Sequence, residues 1–171
     1  MRKSVLLMIL LFAVGMTASA QKFALIDMEY ILKNIPAYER ANEQLNQASK
    51  KWQSEVEKVA EEAKTLYKNY QSEAVFLSEE QKGKKEEAIV AKEREAAELR
   101  RTYFGPEGEL FKKRESLMQP IQDEIYNAVK EISEQKGYSV VVDRASATSI
   151  IFASPQIDIS NEVLAKLGYS N

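Results

Sequence analysis

The chain has 171 residues, of which 44% are hydrophobic and 29% are charged, and its formal net charge at pH 7 is −2. It contains no Cys and no His, which excludes disulfide bonds, thiol nucleophiles, Cys/His zinc sites and imidazole acid or base catalysis. The near balance of acidic and basic residues does not predict a nucleic-acid-binding protein. The length fits one domain, or one domain with an appendage.

The first twenty residues predict a secretory signal peptide. Arg2 and Lys3 precede an apolar run over residues 5–14, which is too short to span a membrane as an uncleaved anchor. Ala18-Ser19-Ala20 places small residues at the alternate positions that a signal peptidase accepts, so we expect cleavage after Ala20. The mature chain then has 22 basic and 26 acidic residues, which gives it a formal charge of −4.

The composition changes sharply along the mature chain. Residues 37–136 contain 18 basic and 21 acidic side chains, whereas the flanking segments are mostly β-branched and apolar. We therefore predict an α+β fold, in which a small β-rich body (residues 21–36 and 137–171) carries a long helical arm (residues 37–136) inserted between its strands. Three segments have the β-branched and aromatic content of strands: Lys22–Asp27, Tyr138–Asp143 and Ser149–Ala153.

These strands are apolar on both faces and must be covered on both faces. A body of about fifty residues is marginal as an independent core and leaves sheet edges unpaired. We therefore expect the chain to form an oligomer that covers them.

The charged segment has helical periodicity. Apolar residues recur at steps of three and four, and two successive steps of four around Trp52 form a stutter that relaxes a left-handed supercoil. Several of these residues are Ala, which bury little area, so the pattern predicts a flexible arm rather than a tight zipper. The periodic positions are Tyr38, Ala41, Leu45, Ala48, Trp52, Val56, Val59, Ala63, Leu66 and Tyr70.

The same segment predicts an antiparallel helical hairpin. A short helix over Met28–Ile35 should end before Pro36, which is favoured at the first position of the next helix. The first long helix should end near Leu77, because Ser78–Gln81 has the form of a capping box that begins a second helix. Helix over residues 37–77 would reach about 60 Å, well beyond the diameter of a small domain.

Proline and glycine interrupt the returning helix. Gly105-Pro106-Glu107-Gly108 predicts a kink or hinge, and Pro120 predicts a gentler bend. Both features could serve as a functional hinge or could only match the curvature of the partner helix. Near the C-terminus, Ser160 and Gly168 are the predicted N-cap and stop of a short amphipathic helix.

The mature chain resembles the Skp/OmpH family of periplasmic chaperones. The resemblance lies in the order of KFALIDM (Lys22–Met28), the charged hairpin, YSVVVD (Tyr138–Asp143) and DISNEVL (Asp158–Leu164), and it covers the whole mature chain. The interruption at Gly105–Gly108 is similar to the form of the family found in Bacteroidetes-type bacteria. The resemblance implies an ATP-independent homotrimer with a β-barrel body, whose three arms enclose a cavity for unfolded outer-membrane proteins in the periplasm.

Expected roles can be given to individual residues on this interpretation. In the trimer body we expect Phe23, Leu25, Val140, Val141, Val142, Ile150 and Phe152. The candidate client-binding residues are Tyr67, Tyr70, Val75, Phe76, Leu77, Tyr103 and Phe104. The apolar tip, Ala74–Leu77, either stays exposed as an interaction site or packs against Ile89 or Val90. The aromatic residues either pack within the hairpin or contact clients.

The charge of this chain departs from the resemblance. The best-known family members are strongly basic, whereas this mature chain is acidic, so electrostatic capture of clients is not predicted. Local basic clusters at Lys82, Lys84 and Lys85 and at Arg100 and Arg101 are interpreted as solvated helix surface balanced by nearby Glu. Contact with lipopolysaccharide or membrane stays an open question.

Two other classes of protein compete with this interpretation. An enzyme could use pairs such as Glu61/Glu62 or Asp143/Arg144, but adjacent carboxylates on a charged helix are normally solvated, and no pocket is predicted. We expect no enzyme activity, no cofactor and no metal. An exported coiled-coil spacer or a component of a secretion assembly is the alternative, but it calls for Leu and Ile along the whole helix contact, whereas this contact is rich in Ala.

Overall fold

A computed structural model describes residues 22–169, so the predicted signal peptide and its cleavage site lie outside the described residues. The fold is α+β, as predicted, and a long helical hairpin separates its two strands in sequence. The elements are strand β1 (Lys22–Ile26), helix α1 (Met28–Lys33), helix α2 (Pro36–Glu73), a 3₁₀ turn (Ala74–Phe76), helix α3 (Glu79–Phe104), helix α4 (Glu109–Lys136), strand β2 (Tyr138–Asp143), a second 3₁₀ turn (Pro155–Ile157) and helix α5 (Ser160–Lys166).

The chain divides into two compact units. The first, here called the sheet unit, contains residues 22–34 and 125–169 of the described chain. The second, here called the hairpin unit, is Ile35–Glu124. Each unit has its own buried apolar residues.

In the sheet unit, β1 and β2 pair in parallel. Ala24 lies opposite Val141, and Leu25 lies opposite Val142. The other edge of β1 is used once, where the Ile159 amide donates to the Leu25 carbonyl at 2.8 Å. Side chains from the helices and the C-terminal segment form the core of the unit, and the fully buried ones are Ile31, Ile125, Ile159 and Val163. This core is small, which fits the short elements around it.

The prediction of a strand over Ser149–Ala153 is wrong for the single chain. These residues have irregular backbone, Ile151 is fully exposed and Phe152 is 85% exposed. Strand content alone cannot make a strand, because a strand needs a hydrogen-bonding partner edge. β1 already pairs with β2 on one side and bonds the segment at Ile159 on the other, and in the described residues Ser149–Ala153 does not pair with the outer edge of β2 either.

The C-terminal helix is present, but its cap differs from the prediction. Ser160 is the first helical residue and not the N-cap, which is Ile159. The capping oxygen comes from Asp158, whose Oδ1 accepts hydrogen bonds from the Ser160 amide at 2.9 Å and the Ser160 hydroxyl at 2.6 Å. The Ser160 hydroxyl is thereby oriented to accept from the Asp27 amide at 2.8 Å, which ties α5 to the end of β1.

In the hairpin unit, the predicted start of the first long helix and the predicted capping box are confirmed, whereas this helix ends at Glu73, four residues before the predicted Leu77, and a 3₁₀ turn follows it. Helix α2 begins at Pro36 after an extended Ile35. Helix α3 begins with a complete capping box: the Gln81 amide donates to Ser78 Oγ at 3.3 Å, and the Ser78 amide donates to Gln81 Oε1 at 2.9 Å. The buried residues of the two helices are Ala41, Leu45, Val56, Ala63, Ile89 and Ala96, of which Ala41 and Leu45 lie on the part of α2 beyond the end of α3. The contact between α2 and α3 is therefore rich in small side chains, as the sequence indicated.

The predicted interruption is also present. Helix α3 ends at Phe104 and α4 begins at Glu109, whereas Pro120 lies inside the continuous α4. The chain folds closely over its own last turn here: a Cβ on Gly105 would lie 2.4 Å from the Arg101 carbonyl oxygen. Only glycine fits such a close backbone approach.

A pair of glycine substitutions tests this account of the interruption. A Cβ on the buried Gly108 would lie 2.8 Å from the Thr102 carbonyl oxygen and 2.9 Å from the Tyr103 carbonyl oxygen. Gly108→Ala should therefore lower the free energy of unfolding by about 1–3 kcal/mol. Gly83 lies inside α3 with open space around its Cβ position, so Gly83→Ala should raise the free energy of unfolding by up to about 1 kcal/mol. Urea unfolding followed by circular dichroism measures both, and shifts of the same sign would contradict the account.

Candidate functional site

The tip of the hairpin exposes large apolar side chains. Val75 is 83% exposed and Phe76 is 85% exposed in the 3₁₀ turn, whereas Leu77 is half-buried. Ile89 is buried and Val90 is exposed. Packing of the tip against these residues of α3 therefore does not cover Val75 and Phe76, which remain exposed. The tip therefore presents an apolar surface to solvent.

Polar contacts surround the tip and join α2 to α3. Lys85 Nζ lies 2.5 Å from Glu73 Oε2, and the Tyr70 hydroxyl donates to Glu86. That hydrogen bond is the main reason why the pKa of Tyr70 is raised above its ordinary value. The phenol of Tyr70 is thus held by the neighbouring helix, and only part of its ring faces solvent.

The positive charges of the lysines near the tip are balanced by glutamates. Lys82 Nζ lies 2.7 Å from Glu79 Oε1, Lys84 Nζ lies 2.7 Å from Glu80 Oε1, and Lys85 pairs with Glu73. Exposed pairs of this kind contribute little stability, but they cancel the local positive charge. This arrangement matches the interpretation of the cluster as balanced helix surface.

The remaining candidate aromatics divide into two groups. Tyr67 is half exposed on α2, and its hydroxyl accepts from Gln71 Nε2 at 3.0 Å. Tyr103 instead stacks on Trp52 with ring centroids 5.2 Å apart, and Phe104 meets the Tyr103 ring edge-on at 6.4 Å. The structure therefore brings Tyr103 and Phe104 together near the interruption, far along the helices from Tyr67 and the tip.

An open groove lies along the middle of the hairpin. It has a volume of about 670 Å³, and its accessible wall is mostly apolar because the partly exposed Leu66 and the stems of charged residues form it. Lys58, Glu62 and Lys92 line its sides, and Lys92 Nζ pairs with Glu62 Oε2 at 3.0 Å. The sequence predicted Leu66 in the contact between the helices and missed its exposure. The spacing of apolar residues along one helix does not show how closely a second helix approaches it.

The sheet unit exposes a second apolar surface. Phe23 on β1 and Val140 on β2 are about half exposed, and Phe152 and Ile151 extend from the irregular segment. Among the other predicted body residues, Leu25 is buried, and Val141, Val142 and Ile150 are half-buried. Sequence reasoning missed Ile151, whose side chain is the most exposed large apolar group of the described residues.

The residues considered for catalysis have structural partners. Glu61 lies 3.2 Å from Lys64 Nζ on an exposed helix face. Arg144 lies 3.1 Å from Asp27 and 3.3 Å from Asp158, so it joins three segments of the sheet unit.

Asp143 closes the turn between β1 and α1. Burial acts to raise its pKa, but the amides of Met28 and Ala145, each 3.0 Å from Oδ1, help to lower the pKa below its ordinary value. This carboxylate thus accepts structural hydrogen bonds and stays ionised.

Two further observations concern residues 22–169. No group of three or more acidic side chains there is arranged to hold a metal ion. None of the helices in this part of the chain combines the length and the apolar content that a membrane crossing requires.

Exposed apolar surfaces, paired charges and open grooves are typical of a protein that binds other polypeptides. Comparison with known proteins agrees with this class. The chain belongs to the OmpH-like outer membrane protein family, whose model matches residues 22–167.

Two relatives show the extent of the similarity. The chain is 25% identical over 160 residues to the chaperone protein Skp of Yersinia enterocolitica, covering 92% of this chain and 93% of that protein. It also matches the crystal structure of an OmpH-like protein of Caulobacter crescentus, with a TM-score of 0.70 and 12% identity over 87% of this chain and 85% of that chain. At this identity the structural match shows the fold alone.

Proposed function

We propose that the protein is an ATP-independent periplasmic chaperone, which binds unfolded outer-membrane proteins and prevents their aggregation during transit. Membership of the OmpH-like family and similarity to a chaperone along nearly the whole chain support a chaperone role. The observation that carries the proposal is the apolar surface at the end of a charged, solvated hairpin, where Val75 and Phe76 are free to contact another chain.

In this proposal the chain is exported and functions as a homotrimer, in which each chain contributes to a common body and carries one arm. Residues 21–36 and 137–171 form the body and residues 37–136 form the arm, whose residues 125–136 pack within the sheet unit and stay with the body when the hairpin unit is removed. Cleavage after Ala20 releases the chain into the periplasm. The exposed Phe23, Val140 and Phe152 support this assembly, because an apolar surface of this kind is stabilised when other copies cover it. Clients then occupy the space between three arms.

Apolar contact, rather than bulk charge, captures the client in this proposal. The mature chain is acidic, and the tip lysines already pair with glutamates. A surface with scattered apolar residues also suits many unfolded sequences, since such binding does not need one shaped pocket. Tyr67, Tyr70 and Leu77 belong to the same proposed surface, and Tyr103 and Phe104 contribute only where their rings remain exposed.

Substitution of the tip tests the proposal. Replacing all three of Val75, Phe76 and Leu77 by Ser should weaken client binding at least about tenfold, while the oligomer is retained. The reason is that burial of each of these side chains against a client can contribute up to about 1.5–3 kcal/mol. Fluorescence anisotropy with an unfolded outer-membrane β-barrel measures the affinity. Raising the salt from 0.15 to 1 M should change the wild-type affinity little, since added salt mainly screens exposed charges.

A matched triple variant provides the control. Val90, Phe111 and Tyr126 are also exposed apolar side chains on the helices but lie outside the tip. Their replacement with Ser should leave the affinity nearly unchanged. Strong salt dependence together with an unaffected tip variant would instead assign capture to the basic clusters.

A further inference from the structure

Helix α3 has an interruption at each end. The turn at residues 74–78 precedes it, and the break at Gly105–Gly108 follows it. Its position along α2 is therefore set by the side chains between the two helices. Many of these are small, such as the buried Ala63 and Ala96, and small side chains bury little area and specify register weakly.

One cluster between the two helices is different. The ring of Tyr103 stacks on the indole of Trp52, with centroids 5.2 Å apart and an interplanar angle of 9°. The Tyr103 hydroxyl also donates to Glu55 Oε2 at 2.6 Å, and this hydrogen bond is the main reason why the pKa of Tyr103 is raised. The contact thus has both a fixed ring geometry and a directed hydrogen bond, with both partners on the same stretch of α2.

The position of this cluster connects two irregular features. Tyr103 lies two residues before Gly105, where α3 ends. Trp52 lies at the stutter of α2, where two successive steps of four interrupt the alternation. Close backbone approach joins α2 to α3, but no comparable approach joins α2 to α4 in the described residues. The cluster therefore lies where the distance between α2 and the returning chain increases.

The other polar links between the two helices differ from this cluster, since the hydrogen bond from Tyr70 to Glu86 lies at the tip, at the opposite end of α3 from the break. The pairs Lys85–Glu73 and Lys92–Glu62 are solvent-accessible ion pairs, which contribute little and are screened by salt. Stacked aromatic pairs contribute stability beyond that of the area they bury. This difference makes the aromatic cluster the contact best able to fix α3 near the break.

We propose that Trp52, Glu55 and Tyr103 form a latch that fixes α3 on α2 and so holds the break at Gly105–Gly108 in one conformation. When the latch is open, the end of α3 next to the break moves away from α2, while α3 stays helical and remains joined to α2 by the turn at residues 74–78. The break supplies the freedom, because glycines there allow backbone conformations that other residues do not. The latch acts in the free protein, so it stands or falls independently of the proposed function.

Spin-label distances test the latch directly. The natural chain has no Cys, so pairs of Cys can be introduced without background labelling. One pair spans the break, at the exposed positions Glu98 and Glu115. A control pair, Lys84 and Glu98, lies entirely within α3 and should be separated by about 21 Å along the helix. Mixing labelled chains with excess unlabelled chains restricts the signal to one protomer.

Tyr103→Ala should raise the population of alternative distances across the break about five- to tenfold and leave the control pair unchanged. Tyr103→Phe retains the stacked ring and removes only the hydrogen bond, so it should give a smaller change in the same direction. Because the ring is kept, this variant should fold even if Tyr103→Ala does not. Tyr67→Ala removes a tyrosine elsewhere on the hairpin and should change neither pair. Unchanged distances across the break in Tyr103→Ala would overturn the proposal, as would equal broadening of both pairs, which would indicate general unfolding.

Fluorescence provides a second readout. Trp52 is the single Trp of the chain, so its quenching by acrylamide reports on the latch without other contributions. Quenching should increase in Tyr103→Ala and remain near the wild-type value in Tyr67→Ala. An indole that is equally protected with and without the Tyr103 ring would contradict the stacked latch.

Discussion

Replacing Phe152 with Asp should convert the proposed homotrimer into folded monomers. Phe152 is 85% exposed in the single chain, so a carboxylate there costs the folded monomer little. In the proposed trimer the same carboxylate would lie in an apolar interface without a partner, which costs at least about 3 kcal/mol for each copy. Sedimentation velocity measures the mass, and circular dichroism verifies that the helices remain.

Phe76→Asp is the matched control for this variant. Phe76 has the same 85% exposure but lies at the hairpin tip, so the oligomer should be retained. Val141→Asp should be harsher than either, because Val141 is half-buried opposite Ala24 and its replacement disturbs the sheet of the monomer as well. A Phe152→Asp protein that sediments like the wild type at micromolar concentration would place the assembly surface elsewhere.

Removal of the hairpin unit should abolish chaperone activity and leave the body assembled. A short flexible linker would replace Ile35–Glu124, so that Ile125, Ala128 and Ile132 stay in the sheet unit where they are buried. The expected product is trimeric, because the proposed assembly surface around Phe152 is retained. It should no longer suppress client aggregation, because the apolar tip is absent.

Two measurements on the deletion variant distinguish the possibilities. Light scattering during dilution of an unfolded client reports activity, and sedimentation reports assembly. Full retention of activity would place client binding on the body. A monomeric product that keeps its secondary structure would show that the hairpin contributes the main contacts between copies.

Features with local causes could be predicted from the sequence. The start of α2 at Pro36 and the capping box of Ser78 and Gln81 depend on residues within one helical turn. The break at Gly105–Gly108 likewise follows from the missing amide donor of Pro106 and the small glycines around it. For these elements, neighbouring residues alone decide the backbone.

Features that depend on distant residues could not be predicted. The Ser149–Ala153 segment has the composition of a strand, but composition does not determine whether a segment reaches an edge and pairs with it, and in the described residues this segment pairs with neither strand. The pairing of Tyr103 with Glu55 joins residues 48 positions apart, and it depends on the register of two helices whose small side chains leave it undetermined. The exposure of Val75 and Phe76 was one of two alternatives, and only the geometry of the turn distinguished them.

Dilution of a urea-unfolded outer-membrane β-barrel into the mature protein tests the central claim most directly. Light scattering follows client aggregation, and native mass spectrometry gives the mass of any complex, both without added ATP. The account predicts that scattering is suppressed at equal amounts of trimer and client, and that the complex has the mass of three chains plus one client. Undiminished scattering at a molar excess of the protein, with no complex detected, would contradict it.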